Sequence, residues 1–431
     1  MPCTVIVGTQ FGDEGKGKIV DYYSADADII VRYNGGANAG HTVVADNEKF
    51  AFRLLPSGVL HRDKTVVIGN GVVLDPDVFL SEIHSLQQRD VTPAQIVISD
   101  RAHVVLPYHK LMDAAQEKFK GRLSAGTTRR GIGPCYSDKV ARFGIRICDL
   151  LDKRSLSEKL HMFVPLQQQL LAVYGEDAEL SLENLITTCL ENGEKLSPYV
   201  TDTAAFLNRA IRAGKNVLLE GAQGTHLDID WGVYPFGTSS NVTSGGACTG
   251  SGVPPTQISS VIGVVKAYTS RVGEGPFPTE LNDNSGQHLR EIGNEYGTVT
   301  GRPRRCGWLD LVMVDYAIRI NGVSSIALTK IDVLSGLEKI NICIAYNFNG
   351  KELQNFPANM RVLAECTPKY VTVDGWDHYS KRDWMTFLER GYQSLPVKTR
   401  QYIEFVENRL KTPVNLVSMG PEREFTMVRA N

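Results

Sequence analysis

Short apolar runs recur along the chain, separated by glycine-rich polar stretches and by segments whose apolar residues return every three or four positions. Val5, Ile6 and Val7 make the first run, and Ile19, Val20, Tyr22 and Tyr23 the amphipathic stretch after it, which predicts a strand, a turn and a helix. DIIVRY (28–33), KFAFRLLPSGVL, KTVVIGNGVVL and QIVISD add strands and turns. Residues 75–89 open on Asp and Pro before a 3.6-residue apolar pattern and predict a helix, as do residues 108–120 with Leu111, Ala114, Ala115 and Phe119. From 150 to about 212 the spacing is helical, interrupted at Pro165, and reads as a helical excursion from the sheet. Strand patterns resume at Val217 to Leu219 and continue through ISSVIGVVKAYTSRVG, SSIALT, INICIAYNF, KYVTV and VNLVSMGP. LDLVMVDYAIRIN places Leu309, Val312, Tyr316 and Ile320 on one helical face, and TRQYIEFVENRL is a further helix. Strands alternating with helices predict an α/β protein.

Several of these strands empty into loops that carry chemistry. The first is GTQFGDEGKGK, residues 8–18. Glycines let the backbone curl with its N–H groups inward, the next helix adds the positive end of its dipole, and a lysine adds charge, so the unit suits a phosphate. It fits G-x-x-x-x-G-K, but Ile19 stands where that pattern wants Ser or Thr on magnesium. Asp13 is the substitute metal ligand, and a possible base if a substrate proton lies within reach. The second loop is NGGANAGHT, residues 34–42, which holds His41 among small residues where packing gives an imidazole little to do. Ligands collect at the carboxyl ends of strands in open α/β sheets, so both loops are expected to line one cleft.

A long basic loop, 126–146, carries Thr127, Thr128, Arg129, Arg130, Lys139 and Arg142, which suit either a phosphate or a solvated surface. Glu220, Gly221, Gln223 and Gly224 follow a strand, and residues 231–252 are rich in Gly, Ser and Thr yet keep Trp231, Tyr234 and Phe236. Arg302, Arg304 and Arg305 crowd around Pro303, an arrangement most comfortable with an anion between the guanidiniums. Thr-Lys-Ile-Asp at 329–332 follows a strand: Asp332 can accept from guanine N1–H and its exocyclic amine, while the Lys330 stem lies along the base, pointing to GTP over ATP. Ser418, Met419 and Gly420 could close over that base.

Composition narrows the setting. The chain has 431 residues, 42% hydrophobic and 22% charged, with a formal net charge of −2, so it offers no global attraction to nucleic acid or an anionic membrane and any anion site is local. MPCTVIVG lacks the features of a signal peptide and no stretch is apolar for long enough to cross a bilayer, so a cytoplasmic protein is expected. Eight scattered cysteines without C-x-x-C and nine histidines without H-E-x-x-H indicate neither a disulfide framework nor a zinc site.

With GTQFGDEGKGK, NGGANAGHT, GTTRRGIGP, DKVAR, EGAQG, TSSN, VKAYTSRVG, GPFPTEL, TGRPRRCGWLD and TKID in this order, the chain closely resembles the adenylosuccinate synthetase family from first strand to last. The resemblance implies one domain, 1–431, on a large, mostly parallel sheet flanked by helices, with a P-loop-like GTP-binding architecture. It implies a homodimer that joins IMP and L-aspartate at the expense of GTP through a 6-phosphoryl-IMP intermediate. By the same resemblance the catalytic residues are Asp13, Lys16, His41 and Gln223. The GTP contacts are Gly12, Glu14, Gly15, Lys16, Gly17, Lys18, Gly40, Thr42, Arg304, Lys330, Asp332, Ser418 and Gly420. IMP and aspartate meet Asp13, Asn38, Thr128, Gln223, Thr238, Thr298, Val299, Thr300, Gly301 and Arg302, with Arg142 reaching in from the partner subunit. Asp13 and the Gly40 carbonyl would ligate Mg2+. Relatives often have Gly in place of Arg129 and a more basic residue in place of Pro303, departures that flank the matched positions. Two rivals use part of the pattern: a GTPase-like switch, which leaves Asp13, His41 and the arginine loop without a role, and an ATP-dependent amide-forming ligase, which has no need of Asp332.

Overall fold

The computed structural model describes residues 3–45, 48–297 and 301–429. Its centre is a 10-stranded sheet with Cys3–Gly8 in the middle, between Val217–Glu220 and Ser260–Lys266. Beyond the former come Ile29–Arg32, Thr65–Ile68, Gln95–Ser99 and Val200–Thr201; beyond the latter, Ser325–Thr329, Val414–Ser418 and Thr426–Val428. Every pairing is parallel except that of Val414–Ser418 with Thr426–Val428.

The alternation of strand side chains sorts the core into two layers. Val5 and Val7 join one apolar cluster and Ile6 the other; Ile29 and Val31 oppose Ile30, and Val217 and Leu219 oppose Leu218 in the same way. Both faces of the sheet are therefore buried, which is why these strands read as continuous apolar runs rather than as alternating ones. No described helix is long and apolar enough to cross a membrane.

Three local expectations are corrected. The helical excursion is present as Lys153–Val173, Leu182–Leu196 and Thr203–Arg212, but the first helix runs on through Pro165. Pro165 is exposed there, so the carbonyl its missing N–H leaves free lies on the solvent side. The basic stretch 126–146 is not all loop, because Ile132–Ala141 is a helix that starts from the left-handed Gly131 and buries Ile132, Pro134, Cys135 and Tyr136. Leu309 lies outside the helix Leu311–Asn321, whose cap is the Asp310 carboxylate accepting from the Val312 and Met313 amides at 3.0 and 3.2 Å.

Candidate active site

The parallel sheet delivers loop 8–15, loop 33–40, the Glu220–Thr225 turn, Lys330 to Asp332 and Ser418 to Gly420 to one edge, the carboxyl ends of its strands. The first loop takes left-handed backbone at Gly12, Asp13 and Gly15, with φ of 85°, 57° and 87°, which turns its amides inward. Gly15 then caps the helix Lys16–Ser24 without any side-chain hydrogen bond to the helix amides, leaving the positive end of the helix open to an anion.

What shapes this loop is a carboxylate beneath it. Glu14 is fully buried and accepts from the Gln10 and Gly12 amides at 3.0 and 2.9 Å and from Lys16 Nζ at 2.5 Å. Gln10 in turn accepts from the Lys266 amide at 2.8 Å and donates to the Tyr268 carbonyl at 2.9 Å, fastening the loop to the neighbouring strand. The side chain of Glu14 therefore faces the protein interior, not the cradle. Lys18 is likewise directed elsewhere: it donates to Ser418 Oγ at 2.7 Å and to the Gly420 and Phe425 carbonyls at 3.0 and 2.8 Å. Two residues apart on a helix means side chains about 200° apart, so Lys16 and Lys18 cannot serve the same loop. Burial pulls the Lys18 ammonium down to about 7, against the opposing charges of Asp332, Glu422 and Glu424. Its position joins the first helix to the segment carrying Ser418 and Gly420.

His41 opens the strand His41–Ala45, paired antiparallel with Glu48–Phe52, instead of sitting in a loop as its small-residue surroundings suggested. It overlies the first helix turn, so closely that a Cβ on Gly17 would stand 3.2 Å from its own. Burial, then Arg32 and Lys16, push its imidazole down to about 3, so His41 is neutral at pH 7. Behind it the buried Glu220 accepts from the Ser57 amide and hydroxyl at 2.8 and 2.7 Å.

Several buried polar atoms on this edge have no protein partner: Asn38 Oδ1, His41 Nε2, Gln223 Nε2 and Asp332 Oδ1. All four belong to residues picked out from sequence. Buried polar atoms are nearly always satisfied in a folded protein, so unpartnered ones along the carboxyl edge of the sheet are available to a polar ligand. Gln223 sits in left-handed backbone, φ 60°, with its Cα 3.4 Å from where a Gly12 Cβ would be. Burial raises the Asp332 carboxyl above its usual value, while the amides of Gly420 and of Asp332 itself oppose it.

Asp13 faces Arg304: Nε lies 2.9 Å from Asp13 Oδ2, and the same guanidinium donates through Nη1 to Glu295 Oε2 at 2.7 Å. Arg304 is thus divided between two carboxylates. Glu295 Oε1 also takes Lys266 Nζ and Lys330 Nζ, each at 2.9 Å, and the Tyr268 hydroxyl. Burial works to raise the Glu295 carboxyl, but Lys266, Lys330 and Arg304 outweigh it and hold it well below the usual carboxylate range. The Lys330 ammonium is therefore committed to Glu295 while its backbone, at φ 57°, turns the chain toward Asp332.

Sequence reasoning missed Glu295, Lys266 and Tyr268, since a lone Glu in GNEYG carries no motif. The remaining candidates are dispersed. Thr128 lies on a half-buried loop held by Glu117, which accepts from the Gly126 and Thr127 amides at 2.9 and 3.1 Å, and by Asp113. Thr238 donates its amide to the Leu227 carbonyl at 2.7 Å. Thr42 and Arg302 are exposed, Gly40 is half-buried, and Gly301 adopts φ 66°. Arg142, in left-handed backbone at the end of Ile132–Ala141, is exposed too. Thr298, Val299 and Thr300 lie outside the described residues.

Among the described residues no group of three His, Cys, Asp or Glu side chains could cage a metal. The donors at hand, one loop carboxylate and a backbone carbonyl at Gly40, fit a hard cation that takes its other ligands from a phosphate and water.

A parallel α/β sheet with an anion-binding loop and a carboxylate, a neutral imidazole and an amide gathered at its carboxyl edge defines a nucleotide-using enzyme. The model of the adenylosuccinate synthetase family matches residues 5–427, and the chain belongs to that family, whose members are ligases of purine biosynthesis. It is 50% identical to the adenylosuccinate synthetase of Caldicellulosiruptor bescii over 98% of both chains, and 50% identical to that of Acetivibrio thermocellus over 99% of this chain and all of the other. The structure of the fully ligated adenylosuccinate synthetase from Plasmodium falciparum superposes with a TM-score of 0.91 at 40% identity, covering 99% of each chain.

Acidification gives the first test. Folded His41 takes its proton only near pH 3, whereas an unfolded one takes it near the ordinary 6.5, so folding stability associated with this residue falls as pH drops through that window. An imidazole resonance of His41 followed by NMR from pH 8 to 5 is expected to stay flat; a midpoint near 6.5 would contradict a buried, neutral ring.

Proposed function

We propose that the chain joins IMP and L-aspartate into adenylosuccinate at the expense of GTP, releasing GDP and phosphate. The observation that carries this reading is the set of buried atoms without partners on Asn38, His41, Gln223 and Asp332, strung along the edge that also bears the uncapped helix. GTP phosphates lie on the loop Gly12, Glu14, Gly15, Lys16 and Gly17, through its amides and, once its ion pair with Glu14 opens, through the Lys16 ammonium, with Thr42 and Gly40 beside them. Asp332 reads the base by accepting from guanine N1–H and the exocyclic amine, with Lys330, Ser418 and Gly420 around it. Lys18 takes part by holding Ser418 and Gly420 in place. IMP lies against Asn38, Thr128, Gln223 and Thr238, and aspartate against the segment 298–302 with Arg302.

The chemistry asks for two steps. Asp13 takes the N1 proton of IMP, and O6 then forms a bond to the γ-phosphorus of GTP while the bond to the β-phosphate oxygen breaks. His41, neutral, donates a hydrogen bond to the phosphates as negative charge grows there, and Lys16 with the loop amides spreads that charge. Aspartate's amine next attacks C6, the C6–O6 bond breaks, phosphate departs with its electron pair, and the amine loses a proton. Asp13 and the Gly40 carbonyl would hold Mg2+, which neutralises phosphate charge when bound. For Asp13 to do either task its ion pair with Arg304 has to open.

Residues 1–431 form one such unit, in a cytoplasmic enzyme, with a second copy completing the site through Arg142. Exposed apolar side chains support a dimer: Phe119, Val140, Met162 and Val173, on the helices Pro107–Lys120, Ile132–Ala141 and Lys153–Val173, are each more than half exposed, and Arg142 directly follows the second of these helices. Cytoplasmic placement would be checked by fractionation, where recovery with membranes would refute it. Sedimentation at micromolar concentration is expected to give a dimer; a monomer with full activity would remove Arg142 from the site.

Phosphate release with magnesium and GTP, omitting IMP and aspartate in turn, tests the whole reading. Release is expected only with both present, together with adenylosuccinate by mass; equal hydrolysis without either would favour a GTPase-like switch. Asp332→Asn is expected to reduce the preference for GTP over ATP by at least ~10-fold, and an unchanged preference would sink the assignment of the base pocket.

A further inference from the structure

Glu295 lies at the foot of the arginine segment, its carbonyl accepting from the Arg304 amide at 2.9 Å. Its carboxylate touches no residue assigned a role from sequence except through Arg304 and Lys330. It is fully buried, as is Lys266, while Lys330 is 29% and Asp13 32% exposed. Three cations, Lys266, Lys330 and Arg304, face two carboxylates, Glu295 and Asp13, so the group keeps one excess positive charge for an anionic ligand.

Resting on the functional reading above, we propose that Glu295 is a positioning residue that couples recognition of the base at Lys330 and Asp332 to release of Asp13 from Arg304. The direction follows from how the charge is shared. Lys266 is locked in the interior, whereas Lys330, partly exposed and held by the Gly293 carbonyl at 2.5 Å as well as by Glu295, shifts from both when its stem packs along a bound base. As Lys330 withdraws from Glu295 Oε1, the carboxylate's remaining charge is felt more strongly by Arg304 at Oε2. Arg304 then leans toward Glu295 and loosens its hold on Asp13, freeing the carboxylate for the substrate proton. The link is a continuous chain of charge-assisted hydrogen bonds and ion pairs through one side chain, which gives it a physical carrier rather than mere proximity.

Glu295→Gln keeps size and an acceptor but removes the charge, leaving Asp13 as the one carboxylate paired with Arg304. The test compares GTP with inosine triphosphate, whose base lacks the exocyclic amine that Asp332 would hold. In the wild-type enzyme, poorer base recognition is expected to lower kcat as well as raise KM. In Glu295→Gln, kcat with GTP falls ~10-fold to about the level with inosine triphosphate, and the difference between the nucleotides survives only in KM. A wild-type kcat equal for both nucleotides, or a variant that loses kcat while keeping the wild-type ratio between them, overturns the coupling and leaves Glu295 a structural charge. Should Glu295→Gln not fold, Lys266→Met combined with it removes one charge of each sign and is read by the same ratio. A wild-type protein that forms no adenylosuccinate with either nucleotide refutes the functional reading itself, an outcome distinct from a failed ratio.

Discussion

A parallel sheet buried on both faces leaves its strand ends as the places where its backbone can meet a ligand, and this chain hangs its glycine-rich first loop, Gln223, Asp332 and Ser418 from the carboxyl ends. Val5 and Val7 pack one way and Ile6 the other, so the strand that carries the anion-binding loop is anchored in two cores at once. Fully burying an aliphatic side chain contributes roughly 1.5–3 kcal/mol, so a few such residues per strand outweigh the cost of ending it in a glycine-rich, left-handed turn. The loops can then be irregular because the strands beneath them are not.

Buried carboxylates give those loops their shape. Glu14 collects the amides of Gln10 and Gly12, Glu220 the amide and hydroxyl of Ser57, and Glu295 the cations Arg304, Lys266 and Lys330. An unpaired buried charge costs several kcal/mol, and removing one partner of a buried pair typically costs about 3–5 kcal/mol, so each carboxylate holds its partners in a narrow range of positions. A loop braced this way presents its amides before any ligand arrives, which reduces the ordering that binding would otherwise require. Asp13 differs from these three in being partly exposed and tied to a single guanidinium, the arrangement expected of a group that must change partners.

Much of the fold was legible in the chain, because a strand buried on both sides spells a short run of Val, Ile and Leu and an amphipathic helix spells a 3.6-residue repeat. The errors arose where one residue type has two physical uses. Pro165 reads as a break, yet on an exposed helical face its missing hydrogen bond is left to solvent, and Gly131 and Gly133 read as loop although the first starts a helix and the second lies within it.

Among the candidate site residues, Asp13, His41, Gln223 and Asp332 stood out because each is a reactive or polar side chain in a glycine-rich or strand-exit context that packing alone does not explain, while Asn38 was named only by the family resemblance. The family, too, could be recognised from motif order. Strand order, by contrast, is a long-range property: residues 217–220 and 260–266 flank 3–8 only in three dimensions, and no local pattern records it. Nor does a lysine's spelling say whether its ammonium pairs with a carboxylate beneath the loop, as Lys16 does with Glu14, or lies around the helix at Ser418, as for Lys18. Glu295 was silent for the same reason, since a carboxylate acquires its meaning from the cations that folding brings to it, and Lys266, Arg304 and Lys330 are neighbours only once the chain has closed.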